Sequence, residues 1–332
     1  MSVYSDVYGQ KKLIEHFKKT VKDDKISNAY ILSGEKLSGK KLLVRKWAAS
    51  IECENPIDGE ACMECHACKM SLSNNNPDII FVTPSKEGKN ISVDDIREQV
   101  NNDMGIKPYY CKKKIYIIDE AENLNMASQN AILKTLEEPP EYGMIVLLTG
   151  NENALLPTIL SRCVRLHTLP AKDSEIKKYL MEYEQMPDYA ADVIIAAAGG
   201  NLGKAANLSK SGQFYELKEL VTDIYSDHKR DMKEIGDVVK KICEYKDNYE
   251  QIFSLLNMWN RDILVLKSGG AGERLIFRDE EKTLKECCRR YSYKGIERVI
   301  KQIKETKAEL ALNVNAEMAF RVMLMTIRDS AK

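Results

Sequence analysis

Five short apolar runs, at 29–33, 78–83, 114–118, 144–149 and 163–168, alternate with stretches of helical spacing through the first half of the chain. That alternation is the signature of a parallel sheet wrapped in helices. The intervening helices carry their own start and stop signals. The helical run 92–100 opens with Ser92 and Asp95 at capping-box spacing. Asn125 can cap a helix running to Leu136, ahead of Pro139-Pro140, in which Ile132, Leu133 and Leu136 share a face directed at the sheet. After Pro170 the strand pattern stops. Residues 173–210 read as three short helices broken near Pro187 and at Gly199-Gly200, and the remainder is helical with one break at 268–272. Ile296, Ile300, Ile303 and Leu310 follow helical spacing, and the stretch from Ala316 to Ile327 is apolar nearly all round, so it is expected to be buried.

The loop after the first run reads SGEKLSGKK. Gly34, Gly39 and Lys40 satisfy the phosphate-binding pattern G-x-x-x-x-G-K-[ST], but Lys41 stands where the pattern requires a hydroxyl. Backbone N–H groups at the start of the following helix can cradle phosphate oxygens, and Lys40 adds a point charge. The run Ile115–Ile118 ends in Asp119 and Glu120, a carboxylate pair suited to holding magnesium and orienting water. The substitution at 41 works against that chemistry. An ammonium cannot coordinate a cation and repels it if it points inward; the bland alternative is a side chain swung into solvent. Thr20 and Ser38 offer hydroxyls nearby in sequence but not at the required position.

Cys53, Cys62, Cys65 and Cys68 form two overlapping C-x-x-C turns plus one upstream thiol. Four thiolates can close a tetrahedral zinc site with no open position for water, so the expected role is structural. His66 could replace one cysteine, and a redox C-x-x-C is the other reading. The five remaining cysteines are scattered and read as reduced small hydrophobes.

Fifty basic residues balance fifty acidic ones among 332. No global field therefore draws the chain to nucleic acid or to a membrane. Lys112-Lys113-Lys114 reads as a solvated edge. The chain has no run of 18 or more apolar residues, and its first six residues are not a signal sequence, which makes a cytoplasmic protein the expectation.

Taken in order, Val7–Gln10 (VYGQ), the phosphate loop, the four-cysteine insertion, IIDEAE, the stretch Asn130–Pro140 (NAILKTLEEPP) and Ser161-Arg162-Cys163 resemble the bacterial sliding-clamp loader subunits, AAA+ proteins of DNA polymerase III. The match covers residues 1–210 well and the C-terminal third less specifically. The resemblance implies an α/β AAA+ P-loop NTPase-like domain over 1–169 with a zinc module at 53–68. A small helical lid over 170–210 and an all-α collar over 211–332 that serves oligomerisation would follow. It implies a pentameric arc with γ/τ ATPase subunits and a δ subunit, acting on the sliding clamp and primed DNA. In that arc Arg162 would reach the γ-phosphate of ATP held by a neighbour; the plainer reading pairs it with a carboxylate at a sheet edge. Thr149 matches the family's polar sensor position at a strand end, and Gly203 stands where a second-domain arginine belongs. Two losses in the chain's own site, with the arginine finger kept, fit a member that hydrolyses little or no ATP itself and binds ATP and magnesium doubtfully. The alternatives are the γ/τ-type ATPase subunit and, in another class, a zinc-dependent nucleic-acid-binding adaptor.

Overall fold

The computed structural model describes residues 2–85, 90–227, 229–270 and 272–331. The chain forms two compact units, the first running to Lys172 and including Asn201–Gly203, the second comprising Asp173–Gly200 and Lys204 onward. Of the segment expected from sequence to form a separate lid, residues 173–200 and 204–210 fall in the second unit with the helices that follow.

In the first unit, α1 (Lys11–Lys22) precedes β1 (Ala29–Ser33), the phosphate loop and α2 (Lys40–Ile51). Then come α3 (His66–Leu72), β2 (Ile79–Val82), α4 (Val93–Ile96), β3 (Lys114–Ile118), α5 (Met126–Glu137), β4 (Gly143–Thr149), α6 (Pro157–Leu160) and β5 (Val164–His167). All five expected strands are present, within a residue or so of their expected limits. They pair in parallel in the order β2-β3-β4-β1-β5.

Both faces of this sheet are covered, and the period of two in the side chains shows it. Tyr30, Leu32, Ile115, Ile117, Val146 and Leu148 enter one core around Trp47 and Phe17. Ile31, Tyr116, Ile118, Ile145 and Leu147 enter the other, with Ile132 and Leu136 of α5. In the first core Phe17 stacks on Trp47 with centroids 4.3 Å apart, and Tyr30 meets the same indole edge-on at 4.7 Å. Thr20, weighed as a substitute hydroxyl, is spent here: it accepts from Trp47 Nε1 and donates to the Phe17 carbonyl.

The expected capping box closes α4. Asp95 N–H donates to Ser92 Oγ, while Ser92 N–H donates to Asp95 Oδ2. The helix then widens into a π-type segment, Arg97–Asn102, which a 3.6 period does not foretell. Burial pushes the Asp95 carboxyl up, but bonds from Ser85 and Ser92 outweigh it and hold the pKa at about 2. A depressed acid adds stability that is present above its ordinary value of 3.8 and is lost as pH falls toward 2. Ser92→Ala should therefore cost about 1 kcal/mol at neutral pH. Thermal unfolding at neutral and acid pH checks this, the gap to the parent closing as Asp95 protonates.

The second unit is all helical: α7 (Asp173–Glu182), α8 (Asp188–Ala198), most of α9 (Leu202–Ser209), α10 (Gly212–Ser226), α11 (Met232–Glu244), α12 (Tyr249–Lys267), α13 (Glu281–Arg290), α14 (Tyr293–Ala311) and α15 (Ala316–Ser330). Lys177 and Arg278 both reach Asp188 and Asp192, tying α7 and α8 to the segment before α13. One expectation fails here. Within α15, Phe320, Met323, Leu324 and Ile327 are buried, but Met318 is 68% exposed and Val322 50%. Ile296 and Ile303 of α14 are buried, whereas Ile300 is exposed. Periodicity locates an apolar position on a helix; it does not say that a neighbour within the same chain covers it.

Candidate functional site

Because β4 lies between β1 and β3, the loop after β1 and the carboxylates after β3 face each other across the end of β4. Ligands of open α/β sheets bind at such carboxyl ends. The cleft is lined by Leu37, Gly39, Lys40, Lys41, Asp119 and Glu122, among others, and its volume is about 390 Å³. Backbone geometry makes it. Gly39 caps α2 at φ +82°, a left-handed conformation that glycine adopts without strain. Gly34 must also be glycine, since an added Cβ would come within 1.8 Å of Thr168 Oγ1.

Charge inside the cleft is already matched. The Lys41 ammonium lies 3.7 Å from Asp119 Oδ2 and 5.2 Å from the centre of the Phe81 ring. It therefore does not simply swing into solvent; it engages the carboxylate available for a metal. Lys36 pairs with Glu120 at 3.0 Å, and that contact raises the lysine's pKa. Lys40 Nζ donates to the carbonyls of Gly34 and Glu35 at 2.7 and 2.8 Å. Burial lowers its pKa, against the opposing pull of Glu122 and Asp119.

The remaining expected residues are placed differently. Thr149 is fully buried and its Oγ1 accepts from Asn151 N–H at 3.0 Å; it is absent from the cleft lining. Ser38 bonds Thr168. Asn201 Nδ2 donates to the Lys36 carbonyl at 2.8 Å and to Glu35 Oε2 at 3.2 Å. Gly203 sits so close to the loop that an added Cβ would come within 2.3 Å of the Leu37 carbonyl oxygen. An arginine at 203 has no room in this arrangement. Glu122 and Lys36 lie inside the IIDEAE and SGEKLSGKK stretches but at positions where the motifs specify no residue type, and Asn201 belongs to neither, so none of the three was singled out from sequence.

Arg162, just after α6, is paired as the plainer reading has it. Its Nη2 lies 2.8 Å from Glu137 Oε1 at the end of α5, and Nη1 donates to the Thr158 carbonyl at 2.9 Å. The side chain keeps 36% exposure, so the guanidinium is held in place yet reachable.

The four cysteines come together as expected. Their Sγ atoms all lie within 4.8 Å of one another, a group that could hold a metal ion. Cys62 and Cys68 Sγ are 3.9 Å apart, close to the roughly 3.8 Å that four sulfurs at about 2.3 Å from one tetrahedral ion require. Backbone N–H groups of residues 62, 65 and 68 each point at a cysteine sulfur, at 3.3–3.4 Å, and so favour thiolates. N–H groups of Cys65 and Glu64 hold Cys62 down at about 7, while burial pushes Cys53 and Cys68 up. His66 is exposed, outside the sulfur cluster, and meets the Tyr110 ring edge-on.

A five-stranded parallel sheet with a glycine-lysine loop after β1 and an acidic pair after β3 is the architecture of the P-loop nucleotide-binding proteins. The family described as DNA polymerase III, delta subunit, matches residues 9–172. The delta′ subunit of Bacillus subtilis is 27% identical over 96% of this chain and 96% of its own length. The delta′ subunit of Pseudomonas aeruginosa is 32% identical over 60% of each. The tau/gamma subunit of Haemophilus influenzae is 34% identical over 62% of this chain but only 30% of its own. The chain belongs to the clamp-loader subunits of DNA polymerase III, on the delta′ side of that family. Among the described residues, no helix is long and apolar enough to cross a membrane.

Proposed function

We propose that this chain is the delta′ component of a clamp loader, contributing to the loading of a sliding clamp on primed DNA without hydrolysing ATP itself. The observation that carries this reading is the Lys41–Asp119 pair. A phosphate-binding loop normally contributes a hydroxyl to magnesium and the strand-end aspartate a second contact. Here the position of the hydroxyl bears a cation, and that cation engages the aspartate at 3.7 Å. One fixed positive charge stands where a divalent ion would need two oxygen ligands, so metal-assisted attack on a triphosphate lacks its centre. The packing of Gly203 against Leu37 supports the same conclusion from the other side of the loop.

What the chain offers instead is Arg162. A guanidinium is always charged and its planar fork suits phosphate oxygens. Exposed beyond α6, it is suited to serve as an arginine finger for ATP held by a neighbouring γ/τ-type subunit, with δ completing the assembly. Glu137 would hold it until that phosphate replaces the carboxylate. The four thiolates would hold zinc as a structural ion, keeping the 53–68 segment folded against the end of α2, where Ala61 N–H bonds Ser50 Oγ at 3.1 Å.

The test is reconstitution. A loader assembled from γ/τ and δ subunits should load clamps on primed DNA poorly without this chain and recover on its addition. Equal loading in its absence would remove the proposed role. The γ/τ reading, an ATPase in its own right, has the tau/gamma similarity in its favour but meets the obstacle at Lys41.

A further inference from the structure

The loop entering β3, Gly105–Lys113 (GIKPYYCKK), presents two tyrosines to solvent: Tyr109 is 68% exposed and Tyr110 71%. The backbone that carries them is anchored. Asp78, fully buried, accepts from the N–H groups of Tyr109, Tyr110 and Cys111 at 2.8, 2.9 and 3.0 Å. Glu52, buried beside the cysteine cluster, accepts from Lys112 and Lys113 N–H at 2.9 and 3.3 Å. Five consecutive backbone donors are thus held by two buried carboxylates. Burying two carboxyl groups is costly, burial pushing Glu52 up to about 7, and the hydrogen bonds that offset the cost fix this loop.

The electrostatics of the loop are equally one-sided. Gly105–Lys113 contains three lysines and no acidic residue. Lys107 and Lys112 are exposed, as is Lys69 on α3, whose neighbour His66 touches the Tyr110 ring. Lys114, read from sequence as part of the same solvated run, is instead buried and paired with Asp103. The patch lies at the start of β3, opposite the strand ends that carry the cleft, and none of its residues lines that cleft. Rigid, exposed aromatic faces flanked by ammonium groups are the recognised means of binding single-stranded nucleic acid, the rings stacking on bases and the cations following the backbone. A nucleic acid strand supplies an aromatic face and an anionic group in every nucleotide, which matches rings and ammonium groups together.

We propose that Tyr109 and Tyr110, with Lys107, Lys112 and Lys69, form a direct binding surface for single-stranded DNA, separate from any nucleotide or arginine-finger chemistry.

The full-length chain is titrated against a fluorescein-labelled oligothymidylate of about 20 nucleotides, by anisotropy, from about 50 mM salt upward. Binding is expected, with log affinity falling on log salt at a slope of about −2, as for three phosphate contacts. Tyr109→Ala/Tyr110→Ala should weaken it by about tenfold or more at unchanged slope. Lys107→Ala/Lys112→Ala should instead make the slope shallower by about 1.4. All these side chains are exposed, so unaltered unfolding temperatures check that each variant is folded. No binding by the parent chain, binding by the tyrosine variant equal to the parent's, or equal affinity for a duplex of the same length would each overturn the proposal. So would cross-linking from position 110 in the assembled loader that captures protein and no DNA.

Discussion

Arg162→Ala is expected to lower the ATP turnover of the assembled loader by about a thousandfold or more, while the complex still forms. The magnitude follows from what an arginine supplied in trans contributes to phosphoryl transfer, ~10³–10⁵ in rate, because it places a fixed cation where charge develops. The sparing of assembly follows from the geometry. Arg162 makes one ion pair, to the half-exposed Glu137, and bonds to Thr158 and Ser161 on its own turn. Pairs of that exposure contribute about 0–1 kcal/mol, so truncation should leave the fold intact. Glu137→Gln is the informative companion. It releases the guanidinium without removing it and should leave turnover within a few-fold of the parent. Turnover assayed with clamp and primed DNA, beside gel filtration of the complex, separates these outcomes. A normal rate in the Arg162 variant would mean that the residue is only a surface ion pair.

Removal of metal from the cysteine cluster should have the largest effect on stability. Structural zinc held by four thiolates contributes on the order of 10 kcal/mol at neutral pH, and a domain's whole stability is about 5–15 kcal/mol. Its loss should therefore leave the first unit barely folded. The damage would travel through α2: Cys53 follows that helix directly, Cys68 Sγ lies 3.9 Å from the Ala49 carbonyl, and Trp47 anchors one face of the sheet. Acid should release the ion, because ligation requires thiolates, and burial makes Cys53 and Cys68 reluctant to ionise without a cation. Elemental analysis should find one zinc per chain, and Cys68→Ser or a strong chelator should lower the unfolding temperature by more than about 10 °C. A metal-free preparation with the parent's unfolding temperature would show that the sulfurs merely pack together.

Much of this was legible in the sequence. Parallel strands buried on both faces leave apolar runs that are hard to mistake, and β1, β3 and β4 were read nearly residue for residue. Caps at Ser92 and Asn125 were equally plain, because a side-chain acceptor at a fixed offset is a local matter. The four cysteines announced their cluster by spacing alone. What could not be read were partnerships between distant positions. Nothing in SGEKLSGKK says that Lys41 turns to Asp119 rather than to water. Nothing near SRC names Glu137, and nothing about Asp78 or Glu52 reveals that each anchors a loop more than thirty residues away in sequence. The exposed side chains of α15 belong with these, since the apolar count was correct and the missing information was what lies opposite.

With Lys41 against Asp119, the chain should have no working metal–triphosphate centre, and magnesium-dependent ATP cleavage by the isolated, homogeneous chain tests that most directly. The expected result is release of phosphate no faster than the buffer blank, with or without the metal. Brisk, magnesium-dependent release by the chain alone would contradict it, and would mean that the Lys41–Asp119 pair opens to admit the ion.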